Sequence, residues 1–238
     1  MGLPAGVTGV LLDVEGTTTP IAFVYETLFP FARRRLGDAC RRGAGNERDW
    51  SGALALLRRE HAEDPEDPPE FGDGSAYASW LMARDRKSTG LKALQGLIWE
   101  EGYRTGELRS VVFDDVPVAL AAWAATGVRI RIFSSGSVLA QRLLFSHTDH
   151  GDLTRWIEGY HDTTTGPKRE AASYGKIAEA FGSDPARILY ASDVVEELDA
   201  ARCSGLATAL LRRPGNHPVP PHDHPRYEDF TPLTPDPV

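Results

Sequence analysis

Apolar residues along this chain fall into two rhythms. Short runs rich in Val, Ile and Leu occupy 7–12, 128–133, 188–191 and 206–211, and the first three stop at small polar or acidic residues. Runs of that length and composition read as strands buried on both faces of a parallel sheet. Elsewhere apolar residues recur at helical spacing, over 25–36, 50–60, 75–82, 91–103, 115–127, 137–145, 168–181 and 194–203. A further short strand is expected near 156–160. From 115 onward helices and strands alternate, which predicts an α/β chain with a doubly wound parallel sheet.

The interval between Asp13 and Ser134 departs from that alternation. A βαβ crossover needs a dozen or so residues plus its helix, whereas about a hundred lie here, so something is inserted. Its periodicity is helical. The predicted division is a core of 1–22 with 112–238 and a helical insertion of 23–111. The acidic, proline-rich stretch 63–70 reads as an exposed linker. The tail from Pro214, crowded with proline, is expected to be extended and in part disordered.

Composition narrows the class. At 238 residues and 41% hydrophobic the chain can bury a sizeable core, and its net charge of −8 speaks against non-specific nucleic-acid or anionic-membrane binding. Two cysteines, Cys40 and Cys203, cannot build a disulfide framework or a Cys-rich zinc site. No signal-like stretch or membrane-length apolar run is evident, so a cytoplasmic protein is expected, and no exposed dimer stripe argues against a monomer.

Candidate chemistry gathers at the strand ends, where ligands of open α/β sheets bind. Asp13-Val14-Glu15-Gly16 closes the first run; alternation in an extended segment places both carboxylates on one side, suited to a divalent cation or to nucleophile and acid–base roles. A strand end with solvated acids would give the same string. Ser134-Ser135-Gly136 stands between strand and helix, either as a helix cap or as a phosphate seat on the helix N-terminus. Lys168 falls in the first turn of the predicted helix 168–181, where a cation opposes the macrodipole, so a bound anion is the expected reason for it and its loss is expected to cost little stability. Ser192-Asp193 ends the third run and adds a carboxylate, completing a hard oxygen set of the kind magnesium takes. Glu196, Glu197 and Asp199 read as a solvated helix face, with Glu197 also able to hold a metal-bound water.

Other signals carry less. His147-Thr148-Asp149-His150 and His217 with His222-Asp223-His224 match no zinc spacing, and the second group is expected in a solvated loop. No G-x-x-x-x-G-K-[ST], G-x-G-x-x-G or G-x-S-x-G string occurs, which removes P-loop, dinucleotide and serine-hydrolase readings.

Taken together, Leu12-Asp13-Val14-Glu15-Gly16-Thr17-Thr18-Thr19-Pro20-Ile21, Leu28-Phe29-Pro30, the stretch from Asp85-Arg86-Lys87-Ser88-Thr89-Gly90 through Leu94-Gln95-Gly96, Ser134-Ser135-Gly136-Ser137, Gly166-Pro167-Lys168 and Ser192-Asp193 resemble the haloacid-dehalogenase-like phosphatases. Within them the chain is similar to the enolase-phosphatases of methionine salvage, because Glu15 stands where the wider superfamily places Asp. The resemblance implies a Rossmann-like core with strand order 5-4-1-2-3 and a helical cap. It also implies Mg²⁺ held by Asp13, Glu15 and Asp193, Glu15 in part through its backbone carbonyl. Asp13 would be the nucleophile that forms an aspartyl-phosphate, with Glu15 in the acid–base position. Ser134, Ser135 and Lys168 would hold the phosphoryl group. The implied reaction is enolisation of 2,3-diketo-5-methylthiopentyl 1-phosphate followed by hydrolysis to the acireductone and phosphate. The base for enolisation stays open between Glu15 and a cap residue such as Lys87. Two alternatives remain: a phosphatase of another small phosphomonoester, and a non-catalytic scaffold.

Overall fold

The computed structural model of the chain describes residues 2–45, 47–84, 86 and 88–235, with Arg48 described by its backbone alone. In chain order the elements are β1 (Gly9–Leu12), a π-helical segment (Phe23–Leu28) continuing into α1 (Phe29–Ala44), α2 (Arg48–Ala62), α3 (Ser75–Ala83) and α4 (Thr89–Arg104). They continue with α5 (Asp115–Ala125), β2 (Arg129–Phe133), α6 (Val138–Ser146), β3 (Gly159–His161), α7 (Ala171–Phe181), β4 (Ile188–Ser192), α8 (Val195–Cys203), β5 (Ala207–Leu211) and β6 (Arg226–Tyr227). Two compact units result, Met1–Val24 with Arg109–Val238 and Tyr25–Leu108. No helix among the described residues is long and apolar enough to cross a membrane.

The first unit is built on a six-stranded parallel sheet of order β3-β2-β1-β4-β5-β6, with β1 between β2 and β4. Every residue of β1 is buried, which is why its run lacks alternation. Register carries Leu12 opposite both Ile132 and Ala191, so Asp13, Phe133 and Ser192 stand level at the carboxyl edge. Leu11, Phe133 and Tyr190 face Tyr174 and Ile177 of α7 and Leu198 of α8 in one apolar cluster. The order contains the expected 5-4-1-2-3 and extends it by β6.

The tail differs from its expected form. β6 pairs with β5, Phe230 is fully buried against Trp123 at 5.3 Å between ring centroids, and Trp123 Nε1 donates to the Leu233 carbonyl at 2.9 Å. His224 is likewise buried, with Nδ1 2.8 Å from Thr208 Oγ1 and Nε2 3.1 Å from Asp199 Oδ1. The prolines stiffen the path of the tail, while its apolar and hydrogen-bonding side chains anchor it.

The second unit is helical. Ser88 Oγ accepts from Leu91 N at 2.9 Å and caps α4, and Glu60 of α2 accepts from Thr89 N at 2.7 Å. Asp64, in the stretch expected as linker, is covered: it takes Tyr77 Oη at 2.7 Å and Arg86 Nη1 at 2.8 Å. Arg42 of α1 ties Glu47 at 2.8 Å and Glu101 of α4 at 2.7 Å. Asp85 and Lys87, named above for the insertion, lie outside the described residues.

Candidate active site

Asp13 follows directly on β1, its amide held by the Ala191 carbonyl at 3.0 Å, and is 4% exposed. The chain then turns on itself. Val14 O receives Thr17 N, Thr18 N and Thr19 N, Gly16 N donates to Thr19 O, and Thr18 Oγ1 donates to the Asp13 and Val14 carbonyls at 3.1 Å. Thr17 Oγ1 reaches Asp13 Oδ2 at 3.3 Å. The three threonines are fully buried, so the Gly/Thr-rich string builds the turn that presents the carboxylate.

Lys168 comes to the same carboxylate, Nζ to Asp13 Oδ1 2.5 Å, and its other face meets Glu197 Oε2 at 2.6 Å. It does not lie in a helix. Helix α7 begins at Ala171, and Lys168 belongs to the turn before it, so the expected conflict with the macrodipole is absent. That turn needs Gly166, at φ +150° and packed against Ser173, whose Oγ donates to Pro167 O at 2.7 Å. Tyr174 Oη then donates to Lys168 O at 2.6 Å. These ties lead the lysine inward rather than along the helix surface.

Glu197 departs from the expected solvated face. It is buried, and its Oε2 accepts from Tyr190 Oη at 2.8 Å and Ser192 Oγ at 3.1 Å as well as from Lys168. A signal for it existed in the sequence, because the stripe Val194-Glu197-Leu198-Ala201 at helical spacing places Glu197 among apolar residues. Glu196, by contrast, is exposed.

Asp193 stands one residue past β4, half-buried, with its carboxylate against the backbone of Gly16. Burial first, and then the charges of Asp13 and Glu197, push its pKa up to about 7 against the pull of Lys168. Burial also raises Asp13, to about 6, although Lys168 draws it down. For Lys168, burial disfavours the ammonium, but Asp13 and Glu197 outweigh it and hold the proton more tightly than usual. Three carboxylates, Asp13, Glu197 and Asp193, thus act on each other against one ammonium. The excess negative charge and oxygen-only donors fit a hard divalent cation better than zinc or copper. Among the described residues no three His, Cys, Asp or Glu side chains converge into a ready cage, so such a cation would rest on Asp13, Asp193 and main-chain or solvent oxygens.

The remaining predicted residues sit on the same edge. Ser134 follows β2, with its amide on His161 O at 3.1 Å and its Oγ accepting from Gly136 N at 3.2 Å. Ser137, not Ser135, caps α6 by accepting from Ala140 N at 3.3 Å, and Asp162 accepts from Val138 N at 3.2 Å. Gln141 Nε2 braces the turn on Gly136 O and His161 O, at 2.7 and 2.9 Å. Ser135 is exposed. Glu15 is half-buried and its backbone bridges to Thr19.

Residues 7–205 match the haloacid dehalogenase-like hydrolase family. The chain is 49% identical over 225 residues to Enolase-phosphatase E1 of Synechococcus elongatus, covering 92% of this chain and 94% of that one. It is 44% identical over 229 residues to Enolase-phosphatase E1 of Azotobacter vinelandii, at 96% and 98% coverage. Among solved structures, the UTR4 protein of Saccharomyces cerevisiae is similar with a TM-score of 0.79 and 36% identity, over 95% of this chain and all of that one.

Proposed function

This chain belongs to the haloacid dehalogenase-like hydrolases and, within them, to the enolase-phosphatases, and from that premise we propose a reaction and a role for each site residue. The enzyme is a phosphoric monoester hydrolase that takes 2,3-diketo-5-methylthiopentyl 1-phosphate, enolises it, and releases phosphate to leave 1,2-dihydroxy-3-keto-5-methylthiopentene, as a step of methionine salvage. It works as a monomer in the cytoplasm, a reducing setting that suits its two free thiols.

The observation that carries the reading is the Asp13 carboxylate, with one oxygen held by Lys168 at 2.5 Å and the other beside Thr17 Oγ1. In-line phosphoryl transfer needs a positioned nucleophile and neutralised oxygens. Asp13 Oδ2 attacks phosphorus, the ester P–O bond breaks with its electron pair going to the enediol oxygen, and water then cleaves the acyl-phosphate. Glu15 takes the acid–base part of this exchange. Lys168 offsets charge on Asp13 and on the entering phosphoryl group, held in place by Glu197. Ser134 and Ser135 supply hydroxyls to the phosphoryl oxygens. Mg²⁺ would be held by Asp13, Asp193 and Glu15, the last through its carbonyl. When bound it supplies charge neutralisation for phosphate approach and for the enediolate.

The test follows phosphate release and enediolate absorbance together on the diketo-methylthio phosphate, with and without Mg²⁺. Enediolate first and phosphate second, both metal-dependent, is the expected result. Turnover of other phosphomonoesters but not this one would keep the phosphatase and discard the substrate. Asp13→Asn is expected to stop phosphate release with the fold intact, and near wild-type release would remove Asp13 as nucleophile.

A further inference from the structure

In the turn that presents Asp13 the amides of Gly16, Thr17, Thr18 and Thr19 bond within the turn, and the carbonyls of Gly16, Thr17 and Thr18 are each taken by a different partner. Thr18 O accepts from Phe113 N at 3.1 Å. Thr17 O accepts from Arg213 Nε at 3.1 Å, and Gly16 O from Asn216 Nδ2 at 2.9 Å. The last two donors come from one four-residue turn after β5, Arg213-Pro214-Gly215-Asn216. Its Asn216 N donates to Arg213 O at 3.1 Å, and Gly215 adopts φ +87°. Pro before a positive-φ Gly is the pattern of a type II turn, so this donor pair is set by a rigid local element.

Arg213 is anchored further. Its Nη1 and Nη2 grip Asp115 at the start of α5 at 2.9 Å each, and Asp115 Oδ2 also takes Phe230 N at 2.7 Å. Only 6% of Arg213 is exposed. A planar, bidentate guanidinium fixed in this way leaves Nε aimed at one carbonyl. Asn216 Nδ2 also reaches Leu211 O at 3.3 Å, which ties the turn back to β5.

We propose that Arg213 and Asn216 are positioning residues that hold the Gly16–Thr17 backbone, and through it Asp13 and Asp193, in register for phosphoryl transfer. Thr17 carries the hydroxyl on Asp13 Oδ2, and Gly16 is the wall on which the Asp193 carboxylate rests. Displacement of these two residues moves both carboxylates, and misplacements of about 1 Å cost up to about 100-fold in rate. The inference rests on Asp13 being the nucleophile.

Asn216→Leu keeps about the volume of the half-buried side chain, adds no charge beside Asp193, and removes the donor. Measured on p-nitrophenyl phosphate with saturating Mg²⁺, it is expected to lower kcat by about 10-fold with KM changed less than about twofold. Amide hydrogen exchange in 14–19 is expected to quicken while exchange in α7 and α8 stays at the wild-type rate. Arg213→Lys, combined with Asn216→Leu, is expected to lose less than the product of the single losses, because both hold one backbone stretch. Unchanged exchange in 14–19, or faster exchange with unchanged kcat, would overturn the proposal. So would a fall in kcat that matches a fall in the folded fraction. Asp13→Asn is run beside these: full activity there would sink the nucleophile assignment, and the exchange result would still report on the clamp.

Discussion

The Asp193 carboxylate lies where a side chain on Gly16 would be: a Cβ there would stand 2.7 Å from Asp193 Cγ, on a backbone at φ +72°. The residue after β4 and the turn after β1 thus meet at a position that admits no methyl group. Gly16→Ala is expected to push Asp193 aside and strain the turn, with a fall of about 100-fold in kcat and a raised Mg²⁺ requirement. Kinetics with Mg²⁺ titration check it, and a wild-type profile would mean that Asp193 is not held by this wall.

Lys168 places its ammonium between two buried carboxylates, so its removal leaves the charges of Asp13 and Glu197 without that partner. Lys168→Met is expected to cost about 3–5 kcal/mol at pH 7, read by urea unfolding. Adding Glu197→Gln should return part of that loss. A cost below about 1 kcal/mol would mean that the burial of Asp13 and Glu197 does not depend on Lys168.

In the helical unit, Asp64 is held below the usual carboxylate range, at about 2, chiefly by the hydrogen bond from Arg86. A depressed folded-state pKa gives stability that is complete above the unfolded value near 4 and lost as pH falls through the folded one. Wild type is therefore expected to lose stability faster than Asp64→Asn between about pH 4 and pH 2, and to keep a constant margin above it. Parallel acid-unfolding curves for the two would contradict the assignment.

Phe230 fills a fully buried site against Trp123, at an interplanar angle of 74°. Phe230→Ala is expected to cost about 3–5 kcal/mol and to alter Trp123 fluorescence. A loss within about 0.5 kcal/mol would show that the tail adds little to the sheet unit.

Much of this architecture was legible in local pattern. Unbroken apolar runs marked β1 and β4 because strands covered on both faces need no polar alternation, and Gly127 and Gly205, at φ +76° and +92°, stand just past the ends of α5 and α8. The acids and hydroxyls at strand ends were visible for the same reason. The start of α7 was misread because Pro167-Lys168-Arg169 is compatible with a first helical turn. Ser173 and Tyr174, folded back on Pro167 and Lys168, help to hold that stretch out of the helix.

Local periodicity in the chain therefore settled the class of fold, the inserted helices and the identity of Asp13 and Asp193 as strand-end acids, since each depends on neighbours within a few residues. The partners of those acids depended on folding. Lys168 meets Asp13 across 155 positions, Arg213 meets Thr17 across 196 and Asn216 meets Gly16 across 200. Such contacts are set by strand order and helix packing, which bring distant backbone and buried charge together, and no repeat or spacing along the chain encodes them.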